Sequence, residues 1–195
     1  RGLGDVYKRQ ILTVGERGPA QNIVVEDCFV HDGLESKDWG PKKWMSLHNG
    51  MYQGRHGTKL TFRNNFVLNT RFGVQLASTE SLFQGNVVSD FSGDGIRVMR
   101  DGITLENNVI RNVYVGSGDG DQNHDDAIQC FLFNKGTGKV RNITLRGNLI
   151  VNWSDDQQPY KGTCQAIGFF DGPLVNFLVE DNVCLVSHYH GVSLY

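Results

Sequence analysis

Carboxylates and amides crowd one stretch of this sequence. Residues 118–126 read Gly-Asp-Gly-Asp-Gln-Asn-His-Asp-Asp, which puts Asp119, Asp121, Asn123 and Asp125 at every second position. Hard oxygen donors in a glycine-containing loop suit Ca²⁺, and the alternation matches the opening of an EF-hand loop. The match then stops: His124 stands where the sharp-turn glycine belongs, and Cys130 where the bidentate Glu belongs. The expectation is an irregular Ca²⁺ site on Asp119, Asp121, Asn123 and Asp125, with a solvated acidic loop as the plain alternative.

Further along, Asp125-Asp126 precedes Ala127-Ile-Gln-Cys, and Asp94 precedes Gly95-Ile-Arg-Val. Two carboxyl groups on neighbouring elements, about 5–9 Å apart, are the equipment of glycoside hydrolysis. The same wall also reads as elimination chemistry on a uronate. Arg97, always charged and bidentate, would clamp a substrate carboxylate, with Gln129 or Ca²⁺ assisting. His124, Lys161 or Tyr160 would reach in as base. The leading site is therefore Arg97, Asp125, Gln129 and His124, with Asp94 and Asp126 completing the carboxylate alternative. His188 and His190 flank Tyr189 before the last apolar alternation, as substrate contacts or as packing residues.

The elements that must carry these residues repeat. An octet recurs at 23–30 (IVVEDCFV), 60–67 (LTFRNNFV), 81–88 (SLFQGNVV), 103–110 (ITLENNVI), 143–150 (ITLRGNLI) and 177–184 (FLVEDNVC). Its sixth position is Asn65, Asn86, Asn108, Asn148 and Asn182, with Cys28 the exception. Asn fits a turn because it tolerates left-handed backbone angles, and stacked copies form amide ladders. A shorter alternation follows each octet: Gly73-Val-Gln-Leu, Gly95-Ile-Arg-Val, Ala127-Ile-Gln-Cys, Ala166-Ile-Gly-Phe and Gly191-Val-Ser-Leu, with Trp44-Met-Ser-Leu a poorer first copy. Period two predicts strands that bury their second and fourth residues and expose the first and third. No single repeat buries its own apolar face, so the repeats must stack at the ~4.8 Å strand spacing. The compact repeats start 21 and 22 residues apart, the length of one parallel coil.

Three insertions interrupt the regularity at one corner, roughly 31–43, 113–125 and 151–164. From octet position six to the next strand, repeats one, four and five take 16, 19 and 18 residues, against 8 or 9 elsewhere. Loops on one edge of a rigid solenoid are where binding surfaces are built. The expectation is a groove about 10–15 Å across. Loops one and four are its walls; Gly73, Gln75, Gly95 and Arg97 are its floor. Trp39, Trp44 and Trp153 lie in or beside the insertions, and Tyr114, Tyr160 and Tyr189 are expected at the same corner. Their rings either offer faces to sugars or anchor the loops.

Composition agrees. Of 195 residues 24 are glycine and only 4 proline, which favours many tight turns over a collagen or linker. A net charge of -2 lacks the footprint of a non-specific nucleic-acid binder. No run of 18 apolar residues exists to span a membrane. Cys28, Cys130, Cys164 and Cys184 fall at different phases of the repeat and read as free thiols. Residues 1–10 resemble a non-native leader and 11–195 one partial domain, so the absence of a signal peptide carries no weight.

The octets and the Gly-φ-x-φ strands resemble the right-handed parallel β-helix superfamily, the pectin lyase-like proteins, over residues 23–195. That resemblance implies an all-β solenoid of about six coils. Its members include polysaccharide lyases, glycoside hydrolases, epimerases, tailspikes and adhesins. It therefore implies a secreted or cell-surface protein acting on a polysaccharide, with lyase action on an acidic glycan favoured. The alternatives are hydrolysis on Asp94, Asp125 and Asp126, and a module that only grips glycan. Family-28 polygalacturonases resemble it further: Ser92-Gly93-Asp94 stands for their Asn-Thr-Asp, Asp125-Asp126 matches their Asp-Asp, and His190-Gly191 partly matches their Gly-His-Gly. His190 falls two coils beyond Asp126 rather than one, and no Arg-x-Lys follows.

Overall fold

The computed structural model describes residues 10–114, 125–130, 139–158, 160–170 and 172–194. Each octet folds as a strand, a corner and a second strand, and the alternation after it supplies a third strand. Successive repeats lay these onto three sheets in which every pairing is parallel. The first sheet holds Gln10–Val14, Asn49–Gln53, Val74–Leu76, Ile96–Val98, Asp126–Cys130, Gln165–Phe169 and Val192–Leu194, hydrogen-bonded in chain order. The second and third sheets hold six strands each, from Val24–Glu26 to Leu174–Glu180 and from Phe29–His31 to Val183–Leu185. The chain is a right-handed parallel β-helix. Gln10, counted with the leader by sequence, opens the first sheet by pairing with Asn49.

The octet corner divides its work between two residues. Position five takes the left-handed backbone: Asp27, Asn64, Gly85, Asn107, Gly147 and Asp181 all have φ between 54 and 64°. Position six, expected both to take the turn and to form a ladder, forms the ladder and leaves the left-handed turn to position five. The side-chain oxygen of Asn86 accepts from both the backbone N–H and the Nδ2 of Asn65, at 2.9 Å each. Asn108, Asn148 and Asn182 continue the pattern rung by rung. Cys28 heads the ladder through its backbone N–H alone. Each ladder amide also donates to a backbone carbonyl of the preceding rung, so a buried corner stays satisfied. On the outside of the second sheet, Glu106 and Glu180 bracket Arg146, and Glu26 pairs with Arg63.

The first-sheet alternation does not hold as read. A side-chain carbon on Gly73 or Gly95 would lie 2.4 Å from Val88 or 2.8 Å from Ile110, both core residues. The first position therefore faces inward with the second and fourth, and glycine is there because the coil interior leaves no room. These glycines are not an exposed groove floor. Nor is Trp44-Met-Ser-Leu the first copy. Pro41–Met45 is a short helix, α1, begun by Pro41 in the first turn, and Gly50-Met-Tyr-Gln supplies the strand. All four cysteines are free thiols.

Candidate functional site

Outward-facing positions of the first sheet line up across rungs as Tyr52, Gln75, Arg97, Gln129, Gly168 and Ser193. The residue just before the alternation forms a second column: Phe72, Asp94, Asp126, Gln165 and His190. Strict alternation would send Asp94 and Asp126 inward. The corner breaks that phase, and both carboxylates stand beside the outward residue three positions on. Arg97 Nε donates to Asp94 Oδ2 at 2.5 Å, and Gln129 Nε2 donates to Asp126 Oδ2 at 2.7 Å. Adjacent rungs thus carry the same device, Asp-small-Ile-cap, with a cation in one and a neutral amide in the other. The backbone N–H of Asp126 donates to Asp94 Oδ1 at 3.0 Å and ties the two rungs together.

The difference in cap decides the electrostatics. Asp94 and Asp126 are both fully buried, and Asp125 nearly so. Arg97 sets a cation against Asp94, but Gln129 brings no charge to Asp126. Burial, and then the charge of Asp94, push the Asp126 carboxyl up to about 8. The Gln129 bond and the Arg97 charge oppose the rise without cancelling it. Burial next to the same carboxylates lifts the Cys164 thiol well above its usual range, which makes it inert. Cys164 lies against Asn152, 3.0 Å from its Oδ1.

The expected open groove is closed. Gln75 and Arg97 retain only 1% and 7% exposure. The Arg97 guanidinium lies 3.6 Å over the ring of Phe72, which also faces Arg71 at 5.1 Å. Loops one and five meet at one corner on Tyr114, where the described start of loop four ends. Loop one, however, crosses rungs two and three instead of standing beside them. Trp44 is fully buried, stacks on Tyr114 at 4.1 Å, and accepts a hydrogen bond from Ser92 through its carbonyl. Trp44 anchors a loop and offers no sugar platform. Trp39, edge-on to Trp44, is half-buried with Lys43 over it. Tyr114 pairs in turn with Lys161, which covers Trp153, whose Nε1 donates to Gly162.

Other expected residues distribute unevenly. Tyr160 is exposed, and Tyr189 is 84% exposed between His188 and His190. His190 reaches the acid column: its Nδ1 lies 3.1 Å from Gln165 Oε1. Asp119, Asp121, Asn123 and His124 lie outside the described residues, so of the expected calcium ligands only Asp125 is described. Among the described residues no three acidic, His or Cys side chains stand together as a metal group. Phe72, Arg71, Gln165, Gly168 and Phe170 were not expected. Aligning the residue before each alternation would have shown Phe72 in the column of Asp94.

The model of the right-handed β-helix region matches residues 49–194, the span that carries the Asn ladder and both acid rungs. The chain belongs to the right-handed β-helix family. No curated protein and no solved structure matches it. Within this β-helix family chain the acid cluster lies on the first sheet, on rungs three and four, on the strands Ile96–Val98 and Asp126–Cys130 and the residues before them. No helix among the described residues is long and apolar enough to cross a membrane.

Proposed function

We propose that this β-helix acts on a polysaccharide and cleaves its glycosidic linkages by acid–base chemistry on the Asp94–Asp125–Asp126 cluster. One observation carries the reading: two stacked buried carboxyls capped differently, Asp94 by Arg97 and Asp126 by Gln129. A carboxyl still protonated near neutral pH is a general acid. Asp126 gives its proton to the linkage oxygen as the bond to the anomeric carbon breaks, and the leaving sugar departs as an alcohol. Water attacks that carbon and loses a proton to Asp125. Exchange with solvent then returns the proton to Asp126. Asp94, with both oxygens already accepting hydrogen bonds, is a positioning residue: it adds to the burial that raises the Asp126 carboxyl.

Elimination from a uronate is less well supported. It needs a guanidinium for the substrate carboxylate, and Arg97 spends its Nε on Asp94 and its face on Phe72. A polymeric substrate implies a site outside the cell or on its surface. Calcium held by the acidic loop belongs to this reading as well, and a calorimetric titration with Ca²⁺ tests it.

The deciding experiment incubates the full chain with neutral and uronic polysaccharides. New reducing ends without ultraviolet absorbance are expected, and Asp126→Asn should lower the rate by about 10²-fold or more. Absorbance from unsaturated ends would replace hydrolysis with elimination. Retention on a glycan column with neither product would leave binding alone.

A further inference from the structure

The outer face of the third sheet takes no part in the acid cluster, which lies on the first. Its leading outward column runs Phe29, Phe66, Val87, Val109, Leu149 and Val183 through six paired rungs. The next residue along each strand is core, as at Val67, Val88, Ile110 and Ile150, so the column looks outward. No charge interrupts it. Phe29 and Val183 are half-exposed at the two ends, and Leu149, one rung in, still keeps 36%. The exposure is therefore not confined to the end strands. Single exposed apolar side chains are ordinary, but an unbroken row of six marks a contact surface.

Bulk and charge along the row specify what covers it. Two phenyl rings, stacked at 5.3 Å, raise one end, while leucine and valine leave the other low. A two-fold axis along the strand direction, between rungs three and four, reverses the order of rungs in a second copy. It sets Phe29 against Val183, Phe66 against Leu149 and Val87 against Val109, which levels the face. The second outward column carries Ser89 and Arg111 on those central rungs. Arg111 Nε donates to Ser89 Oγ at 3.1 Å, and that hydroxyl donates to Asp90 Oδ2 at 2.9 Å. The same axis brings Arg111 of each copy opposite Ser89 and Asp90 of the other, cation against anion. A two-fold axis along the solenoid would instead press Arg111 onto Val109 and strand a charge on the apolar row. We infer that two copies of this chain pair through their third sheets, rungs antiparallel, as an isologous dimer. The face measures about 25 Å by 10 Å, the scale of a weak and reversible contact. The first sheet, with the acid cluster, stays outside it.

Sedimentation equilibrium on the full chain, from about 1 to 200 µM, should show monomer and dimer only, with Kd on the order of 10 µM. Val109→Lys puts an ammonium group at the centre of the row, pointing away from the core, and should raise Kd about tenfold or more. Arg111→Glu sets like charges across the axis and should weaken the dimer to a similar degree while leaving the apolar row intact. It decides the matter even if Val109→Lys fails to fold. A chain still monomeric at about 200 µM would overturn the inference. Species growing beyond the dimer would also overturn it, since they mark head-to-tail stacking through the open strands of the end rungs. A dimer unchanged in Arg111→Glu and Val109→Lys would put the contact elsewhere and overturn it too.

Discussion

At the scale of single residues, one exchange governs the site: Arg97 on one rung, Gln129 in the same place on the next. The consequence is measurable without a substrate. The Asp126 carboxyl moves from 3.8 to about 8 on folding. Between those values the native chain holds a proton that the unfolded chain has lost, so stability falls as pH rises through the window. The contribution is neutral below the unfolded value and levels off above about 8. Asp126→Asn removes the dependence. Thermal melts at pH 5 and 8.5 should show the wild-type midpoint falling, relative to the variant, by on the order of 5 °C. Activity should decline on the alkaline side near the same value, as the acid loses its proton.

At the scale of elements, the Asn ladder and loop one are the parts that hold the site in place. Asn86 is fully buried, accepts from Asn65 above and donates to Asn108 below. Asn86→Ala leaves two neighbours short of partners and should cost about 2–3 kcal/mol in chemical denaturation. Asn182→Ala, in the last rung and half-buried, should cost less. Loop one depends on Trp44, stacked on Tyr114 and bonded to Ser92. Trp44→Ala should destabilise by about 3–5 kcal/mol and open the loop to limited proteolysis within 33–48. An unchanged cleavage pattern would mean that the strap is held elsewhere.

Across the whole molecule, each strand pairs only with the rungs beside it, so stability adds rung by rung except where loop one reaches further through Trp44. The fully buried core lies mostly in the middle: Phe62, Phe83, Phe91, Ile96 and Leu105 have no appreciable exposure. The described end strands keep Ile11, Val24, Phe29, Val183, Leu185 and Val192 exposed. Amide exchange should therefore be slowest at Val74–Leu76, Ile96–Val98 and Ile103–Glu106, and fastest at Gln10–Val14 and Val183–Leu185. Uniform protection along the chain would refute independent rungs. The acid cluster sits on rungs three and four, toward the protected middle, where its geometry is best maintained.

The sequence by itself determined the coil. Octet, ladder residue, short alternation and corner insertions are local patterns, and a stacked solenoid converts local pattern directly into register. It also placed Asp94 and Asp126 on adjacent rungs, Arg97 in line with Gln129, and loops one and five at one corner. Tertiary structure alone decided which way the corner residues face. Alternation holds within a strand but fails at a turn, so Asp94 and Asp126 point out while Gly73 and Gly95 point in. Only packing of distant segments could close the groove, through Trp44 on Tyr114 and Phe72 on Arg97. Contacts between residues tens of positions apart leave no period to read. The ionisation of Asp126 belongs with them, because it depends on burial and on a neighbour 32 residues away.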